Sequence, residues 1–388
     1  MPGIAPVVLS RIEMERARLS SARRALDSVA DRAPRIASVT AAKLVLAIGS
    51  TDDELAKLAD RTRTRGVTLN RIEQVTKETG ATDRVVREAF ALAAGVLARS
   101  QGLDGGACAE ADSLIAELAD IVDSSLARPT IPGDTEFLHR ADDVIRRRLP
   151  DHGVWDLPVM AHEFGHVLSK HLHLYDPGDD RVVELDEEVL AGWPECSASQ
   201  AEELFCDLLA CYALGPSYAC ALLVHRLDPA ASAATSPGAT HPPDAVRAAV
   251  ALGTLALMTK GEPGNGRYRM TCDRIGAVWR ELQELAPPEA RLTPEREQDV
   301  RRQVGVVFDF LSHRIKPLRY DWRNGEIREL ANALKTSELP DASHRYRIRD
   351  VLNAAWMLRL NATAASPLQA QVEAGTRARI GRTQEEGT

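Results

Sequence analysis

The chain has 388 residues, 27% of which are charged, and its formal net charge is −8 at pH 7. This length is sufficient for two or three domains, each with its own core. The sequence has no apolar run of about eighteen residues or more, which excludes a transmembrane helix, and its first ten residues lack the basic segment and the apolar core of a secretory signal.

The six cysteines favour a reducing compartment. They form no C-x-x-C pair and do not have the spacing of a disulfide framework. Three of them, Cys206, Cys211 and Cys220, fall in an apolar helical stretch, where a reduced cysteine acts as a small hydrophobic residue. We therefore expect a soluble cytoplasmic protein without membrane insertion.

Residues 1–128 are predicted to form a helical N-terminal region. Apolar residues recur at helical spacing in Ile12–Val29, Ala41–Ile48, Asp52–Ala59 and Ser113–Leu126. The first 100 residues contain 17 basic and 12 acidic side chains, a net charge of +5, so the rest of the chain carries −13. This excess of positive charge makes nucleic acid a partner to consider.

Residues 69–91 have the outline of a helix-turn-helix. Two short helices are predicted around a tight turn at 79–81, with Thr82 as the cap of the second helix and Arg84 and Arg87 on its surface. The same pattern is typical of any short α-hairpin with a glycine turn, and neighbouring acidic residues dilute the basic face. Nucleic-acid binding is therefore an alternative that the sequence permits but does not favour.

The segment Ala127–Gly133, with two prolines and a glycine, predicts a domain boundary, and we assign residues 129–260 to a second domain. Val144–Leu149 is a candidate strand within it. The next element is a helix from Val159 to Leu174, preceded by Trp155-Asp156-Leu157-Pro158. Asp156 is suited to cap this helix and Pro158 to occupy its first turn.

This helix carries His162-Glu163-Phe164-Gly165-His166, an H-E-x-x-H motif. Histidines at i and i+4 project from the same side of a helix, so their imidazoles can bind one Zn²⁺. Glu163 then lies beside the metal, where it can accept a proton from a water molecule that the metal has made more acidic. The alternative is an ordinary amphipathic helix, but the apolar neighbours indicate burial, and buried His-Glu-His side chains need a partner. The motif predicts one zinc ion per chain and metal-assisted hydrolysis.

The residues after the motif exclude a metzincin. That pattern would require glycine at position 169 and histidine at position 172, where this chain has Ser169 and Leu172. His171 is out of register, and His173 is seven residues, or about 10 Å of helix, beyond His166. We expect both to be surface histidines near the helix end.

A second helical stretch offers the third ligand. Glu203 and Asp207 have i, i+4 spacing, which places both carboxylates on one helix face. Glu203 can bind the zinc ion while Asp207 accepts a hydrogen bond from a ligand imidazole. Glu202 is the competing ligand, but Cys206, not an aspartate, follows it four residues later. An H-E-x-x-H motif followed by E-x-x-x-D resembles the gluzincins, the thermolysin-like zinc metallopeptidases, in which a glutamate on the second helix completes the site.

The segment Thr240–Arg247, with sequence T-H-P-P-D-A-V-R, is similar to one that follows the zinc glutamate in the CAAX-prenyl endopeptidases and their bacterial heat-shock relatives. The resemblance implies that His241 and Arg247 lie by the active site. His241 would donate a hydrogen bond to the developing oxyanion, and Arg247 would hold a substrate carbonyl or brace the zinc helix. The alternative is a proline-terminated loop that leads into a helix over Asp244–Met258. Those relatives are embedded in membranes, so the likeness covers the motif alone.

Residues 261–374 are predicted to form a helical C-terminal region. Its helices are Thr271–Leu285, Pro294–Ile315, Gly325–Leu334 and Tyr346–Asn361. The tail 375–388 has the composition of a disordered segment. Because strand signal is scarce, we expect a mainly α fold, with a zincin-like catalytic core containing at most a small β-sheet, flanked by helical N- and C-terminal regions.

These patterns predict a zinc metallopeptidase that acts on a protein or peptide substrate. His162, His166 and Glu203 would bind zinc and leave one position open, and Glu163 would be the general base. One alternative is a regulatory peptidase coupled to a DNA-binding N-terminal region. A group of soluble bacterial H-E-x-x-H proteins is built so, and their third-ligand helix ends near L-L-x-P, to which Leu214-Gly215-Pro216 is loosely similar. The other alternative is a helical interaction protein with structural zinc or none.

Overall fold

The computed structural model confirms a mainly α fold with a small β-sheet. It describes residues 4–30, 34–133, 137–139, 144–148, 153–171, 174–176, 179–183, 192–193, 196–234, 239, 241–260, 266–336, 346–361 and 374–377. The chain divides into two compact units: Met1–Cys108 with Pro129–Pro150, and Ala109–Arg128 with Asp151–Thr388. None of the described helices is long and apolar enough to cross a membrane.

The first unit is built on three long helices, α1 (Ile4–Ala30), α2 (Pro34–Arg65) and α3 (Leu69–Ser100), each of which packs against the other two. Apolar side chains at helical spacing point inward and form its core. The most buried of them include Ile12, Leu19, Leu26, Leu44, Leu55, Val75, Ala89, Leu92 and Val96. The burial of these stripes is what makes such long helices stable in water.

The predicted helix-turn-helix is wrong, because α3 runs without interruption through residues 79–81. Thr79 Oγ1 bonds back to the carbonyl of Val75 at 2.9 Å, and Thr82, the expected cap, is fully buried inside the helix. One glycine in a helix costs only about 1 kcal/mol relative to alanine. The apolar stripe that continues on both sides of Gly80 outweighs that cost.

A three-stranded sheet completes the first unit. Its strands are β1 (Thr130–Gly133), β2 (Phe137–His139) and β3 (Val144–Arg148). The central strand β3 pairs in parallel with β1 and antiparallel with β2, which confirms the strand predicted at 144–149. Because β1 packs on α3, Pro129–Pro150 belongs to the same unit as the N-terminal helices. The predicted domain boundary at residue 129 is therefore wrong.

The second unit holds the remaining elements. These are α4 (Ala107–Val122, from Ala109 onward), α5 (Met160–His171), β4 (Leu174–Asp176), β5 (Asp179–Val183), α6 (Ala198–Leu214), α7 (Pro216–Ala221), α8 (Asp244–Thr259), α9 (Gly266–Leu285), α10 (Pro294–Arg314), α11 (Asn324–Thr336) and α12 (Ile348–Asn361). The helix predicted from Val159 ends at His171, and β4 and β5 form an antiparallel pair after it.

The helix α6 is the centre of this unit, because α5, α7, α8 and α10 all pack against it. Ser197 and Gln200 form a capping box at its start, with bonds of 3.0 and 3.3 Å. Gly215 ends it with φ of 64°, and a Cβ there would meet the ring of Tyr320 at 2.7 Å. Both ends of α6 are therefore fixed, which suits a helix that positions several polar side chains.

The predicted C-terminal region is not a separate unit. Its four helices form close to the expected bounds, but α9 and α10 pack on α8, and α10 also packs on α6. Residues 109–128 join the same unit, where Glu117 Oε2 accepts a hydrogen bond from the backbone of Ile348 at 2.5 Å. In the tail, 374–377 form a helical turn where disorder was expected from residue 375 onward, and residues 378–388 lie outside the described residues.

Among the carboxylates outside the candidate site, Asp350 is the one whose substitution we expect to lower the free energy of unfolding most. It is fully buried and accepts hydrogen bonds from Arg347, Arg323 and the hydroxyl of Tyr320. Burial raises the pKa of Asp350, but the two arginines outweigh it, and the pKa lies below its usual value. The stability that Asp350 contributes is therefore present above about pH 4 and lost as pH falls through its lowered pKa.

Asp350→Asn should accordingly destabilise the chain by about 3 kcal/mol at pH 7, because it removes a fully buried counter-charge from Arg323 and Arg347, whose side chains are 27% and 26% exposed. Urea unfolding measured from pH 7 to pH 3 should show the difference from wild type shrinking toward acid. Asp299→Asn, which removes an exposed carboxylate paired with Arg302, is the control and should change stability by less than about 1 kcal/mol. Equal effects of the two substitutions would contradict the prediction.

Candidate metal centre

The two helices α5 and α6 carry the candidate site. Pro158 lies in a short 3₁₀ turn, Leu157–Val159, that leads into α5. Asp156 precedes this turn but makes no capping bond with its side chain, contrary to expectation. Its carboxylate accepts a hydrogen bond from Arg226 at 3.3 Å instead.

The close approach of α5 to α6 depends on Gly165. A Cβ at this position would lie 3.1 Å from the Cα, Cβ and Sγ atoms of Cys206. Such a contact is tighter than ordinary van der Waals packing, so a larger residue would push the helices apart. The glycine inside the H-E-x-x-H motif therefore allows the histidines of α5 to reach the carboxylates of α6.

His162, His166 and Glu203 come together as predicted for the metal ligands. Nε2 of His162 lies 3.2 Å from Oε2 of Glu203, and Nε2 of His166 lies 3.4 Å from Oε1. One ligand atom from each residue falls within 4.8 Å of the others. In a tetrahedral site with bonds of about 2.0–2.1 Å, ligand atoms are about 3.3 Å apart. The two His–Glu distances are close to this separation, so the donor set suits a zinc ion.

The electrostatics of the site favour positive charge. Burial lowers the pKa of His162, but Asp207 and Glu203 outweigh burial and raise it above its usual value. Burial raises the pKa of Glu203, yet its contacts with His162 and His166 hold the pKa well below the usual range. Carboxylates thus surround the imidazoles closely enough to stabilise either protons or a divalent cation at this point.

Asp207 contacts His162 through the ring nitrogen opposite the one that approaches Glu203. His162 Nδ1 lies 2.9 Å from Asp207 Oδ1, the contact predicted for this carboxylate. Arg247 on α8 donates to both oxygens of Asp207, at 2.7 and 2.8 Å. Burial raises the pKa of Asp207, but Arg247 outweighs it, and the carboxyl remains ionised. Arg247 therefore braces Asp207 on α6, a contact that differs in detail from the two expected roles, holding a substrate carbonyl or bracing the zinc helix.

Tyr218 is part of the site but has no signal in the sequence. Its hydroxyl donates to Asp207 Oδ1 at 2.5 Å and lies 3.2 Å from His162 Nδ1. Its ring is nearly parallel to the His162 ring, with 6.4 Å between centroids. Tyr218 reaches this point only because the chain reverses at Gly215, so no helical spacing relates it to Asp207.

Glu163 is buried, with 5% of its surface exposed. Its Oε2 atom has no hydrogen-bond partner among the described residues. A buried carboxylate oxygen without a partner is costly unless it faces a ligand, a cation or water. This position beside the first histidine is the one expected of a general base.

His241 lies at the open side of the cluster. Its Nε2 atom is 3.6 Å from Oε2 of Glu203, and 61% of its side chain is exposed. Gln200 Nε2 holds the segment by donating to the carbonyls of Ala239 and His241, at 3.1 and 3.4 Å. The helix predicted after Pro243 forms as α8.

Of the two histidines excluded as ligands, His171 is exposed at the end of α5, as expected. His173 lies outside the described residues, as does Thr240 of the T-H-P-P segment.

Comparisons of the chain with protein-family models, with curated proteins and with solved structures found no match. The function must therefore be inferred from the chemistry of the cluster itself.

Proposed function

We propose that the protein is a zinc-dependent metallopeptidase of the gluzincin type. The observation that carries this proposal is the cluster of His162, His166 and Glu203 ligand atoms within 4.8 Å, together with the buried Oε2 of Glu163, which has no hydrogen-bond partner among the described residues. Two imidazoles and one carboxylate are a donor set typical of catalytic zinc. Glu163, which follows the first ligand in the chain, would then act as the general base.

The number of ligands favours catalytic over structural zinc. A structural zinc site is closed by four protein ligands, whereas a catalytic site has three and keeps one position for water or substrate. In the part of the chain that the structure describes, three such side chains gather at this point. Asp207 does not supply a fourth, because Arg247, Tyr218 and His162 Nδ1 already occupy its oxygens.

A bound zinc ion supplies Lewis acidity, which lowers the pKa of water and polarises a carbonyl. Glu163 accepts a proton from the attacking water while the oxygen of that water bonds to the peptide carbonyl carbon. The same residue then gives this proton to the nitrogen as the carbon–nitrogen bond breaks, so the products are a carboxylate and an amine. His241, on the exposed side, would donate a hydrogen bond to the oxyanion.

The reducing compartment expected from the cysteines belongs to the same proposal. All six cysteines are free thiols, and five of them are buried. Free buried cysteines are typical of proteins that fold where disulfides are kept reduced. We therefore propose a cytoplasmic peptidase that acts on protein or peptide substrates.

Cleavage of a mixed peptide library, followed by mass spectrometry, tests the activity. The zinc-loaded chain should cleave peptide bonds, lose this activity on chelation and regain it when zinc is restored. A chain that binds one zinc ion and cleaves nothing would instead support the interaction protein with structural zinc. A chain that binds no zinc would refute both readings of the cluster.

His241→Ala should leave zinc bound and lower turnover by about 10²-fold, since an oxyanion donor acts mainly in the transition state. Zinc content, thermal stability and turnover should be measured on the same preparation. If His241 is only a loop residue, stability changes while turnover per folded molecule does not. His171→Ala is the matched control, because this exposed histidine at the end of α5 lies outside the cluster. This substitution should leave zinc content, thermal stability and turnover unchanged.

A further inference from the structure

We propose that Glu202 is a positioning residue for His166 and not a metal ligand, an inference that rests on the proposed zinc site. Glu202 Oε1 lies 3.1 Å from Nδ1 of His166, and both side chains are largely buried, with 16% and 13% exposed. The contact is on the ring nitrogen opposite Nε2, the atom that approaches Glu203. Glu202 thus holds the ring from the side away from the metal.

The arrangement repeats the one at the first histidine. His162 contacts Asp207 through Nδ1 and Glu203 through Nε2, just as His166 contacts Glu202 through Nδ1 and Glu203 through Nε2. An imidazole that donates its Nδ1 proton to a carboxylate keeps the lone pair on Nε2 for a metal. The single helix α6 therefore supplies one ligand and both carboxylates that orient the other two ligands.

Helix geometry explains why the two carboxylates match the two histidines. His162 and His166 are four residues apart, a rise of about 6 Å, and Glu202 and Asp207 are five apart, a rise of about 7.5 Å. The earlier histidine pairs with the later carboxylate and the later histidine with the earlier one, so α5 and α6 run antiparallel here. Glu203 lies between the two carboxylates along α6 and reaches both Nε2 atoms.

Ser169 supports Glu202 from α5. Its Oγ atom lies 3.3 Å from Oε1 of Glu202 and 3.1 Å from the carbonyl oxygen of His166. Because Ser169 is three residues beyond His166, it lies on the same side of the helix. The hydroxyl and the imidazole therefore meet the same carboxylate oxygen, which restricts where that oxygen can be.

Glu202→Ala should weaken zinc binding by about 10–100-fold, the usual effect of removing a residue that orients a metal-bound histidine. Glu202→Gln should bind zinc within about threefold of wild type, because its amide oxygen still accepts from Nδ1. Competition with a chromogenic chelator measures both affinities. The absorption spectrum of the cobalt-substituted chain supplies a second readout, which should change in the alanine variant and return toward wild type in the glutamine variant.

Several outcomes separate this inference from the proposed function. Wild type without zinc affinity would refute the metal site itself. Wild type that binds zinc, with Glu202→Ala equal to it in affinity and spectrum, would overturn the role of Glu202 alone. So would complete loss of zinc in Glu202→Gln, which would make Glu202 a ligand. Glu281→Ala, an exposed carboxylate on α9, is the control. Should Glu202→Ala fail to fold, Ser169→Ala provides the test, with an expected several-fold loss of affinity that Glu281→Ala does not show.

Discussion

Glu163→Gln should keep one zinc ion per chain and lose peptide hydrolysis by about 10²–10⁴-fold, the range that general-base steps contribute. The amide has nearly the size of the carboxylate, so the packing around this buried side chain should survive. It cannot accept the proton of the attacking water, and it cannot return a proton to the leaving amine. Zinc content and turnover on the same peptide, measured side by side, check the prediction.

Glu284→Gln is the matched control for this experiment, because it makes the same chemical change on the exposed surface of α9. It should leave zinc content and turnover unchanged. Near-wild-type hydrolysis by the Glu163 variant would rule out the proposed mechanism. Loss of zinc from that variant would instead show that Glu163 helps to bind the metal, although it is not one of the three residues whose ligand atoms cluster.

The site residues that lie four apart on the same helix were predictable from the sequence. The i, i+4 pairs His162 with His166 and Glu203 with Asp207 each lie on one helix face, so a local rule places them. Pairing α5 with α6 was then enough to expect the three ligands together. The roles of Glu202 and Tyr218 were not predictable, since they depend on the direction in which α6 crosses α5 and on the chain reversal at Gly215.

The N-terminal fold shows where local rules fail. Gly80 and the polar residues beside it have the composition of a turn, but the apolar residues before and after them share one stripe of α3. Packing against α1 and α2 decides the outcome, and a short window of sequence does not contain that information. Likewise, the composition of Ala127–Gly133 predicts a boundary, yet Thr130–Gly133 pairs as a strand with residues that follow it.

Glu203→Ala should abolish zinc binding. Glu203 faces both histidine Nε2 atoms, at 3.2 and 3.4 Å, so its removal takes away the third ligand and leaves two imidazoles. Asp207 cannot replace it, because Arg247 and Tyr218 hold this carboxylate in place. Glu202 is engaged with Nδ1 of His166, on the other side of the ring. Metal analysis after dialysis should therefore find one zinc ion per chain in wild type and almost none in this variant.

The thermal stability of the same proteins supplies an independent measure of this metal loss. Zinc that binds only the folded chain raises its stability as free zinc increases, so wild type should melt at a higher temperature with zinc than with a chelator. Glu203→Ala should melt at one temperature in both conditions, whereas Glu202→Ala should still respond when zinc is saturating. If the Glu202 variant lost its response and the Glu203 variant kept it, the third ligand would be Glu202. Full zinc occupancy in His162→Ala would refute the proposed metal centre, because loss of one of only three protein ligands should greatly weaken zinc binding.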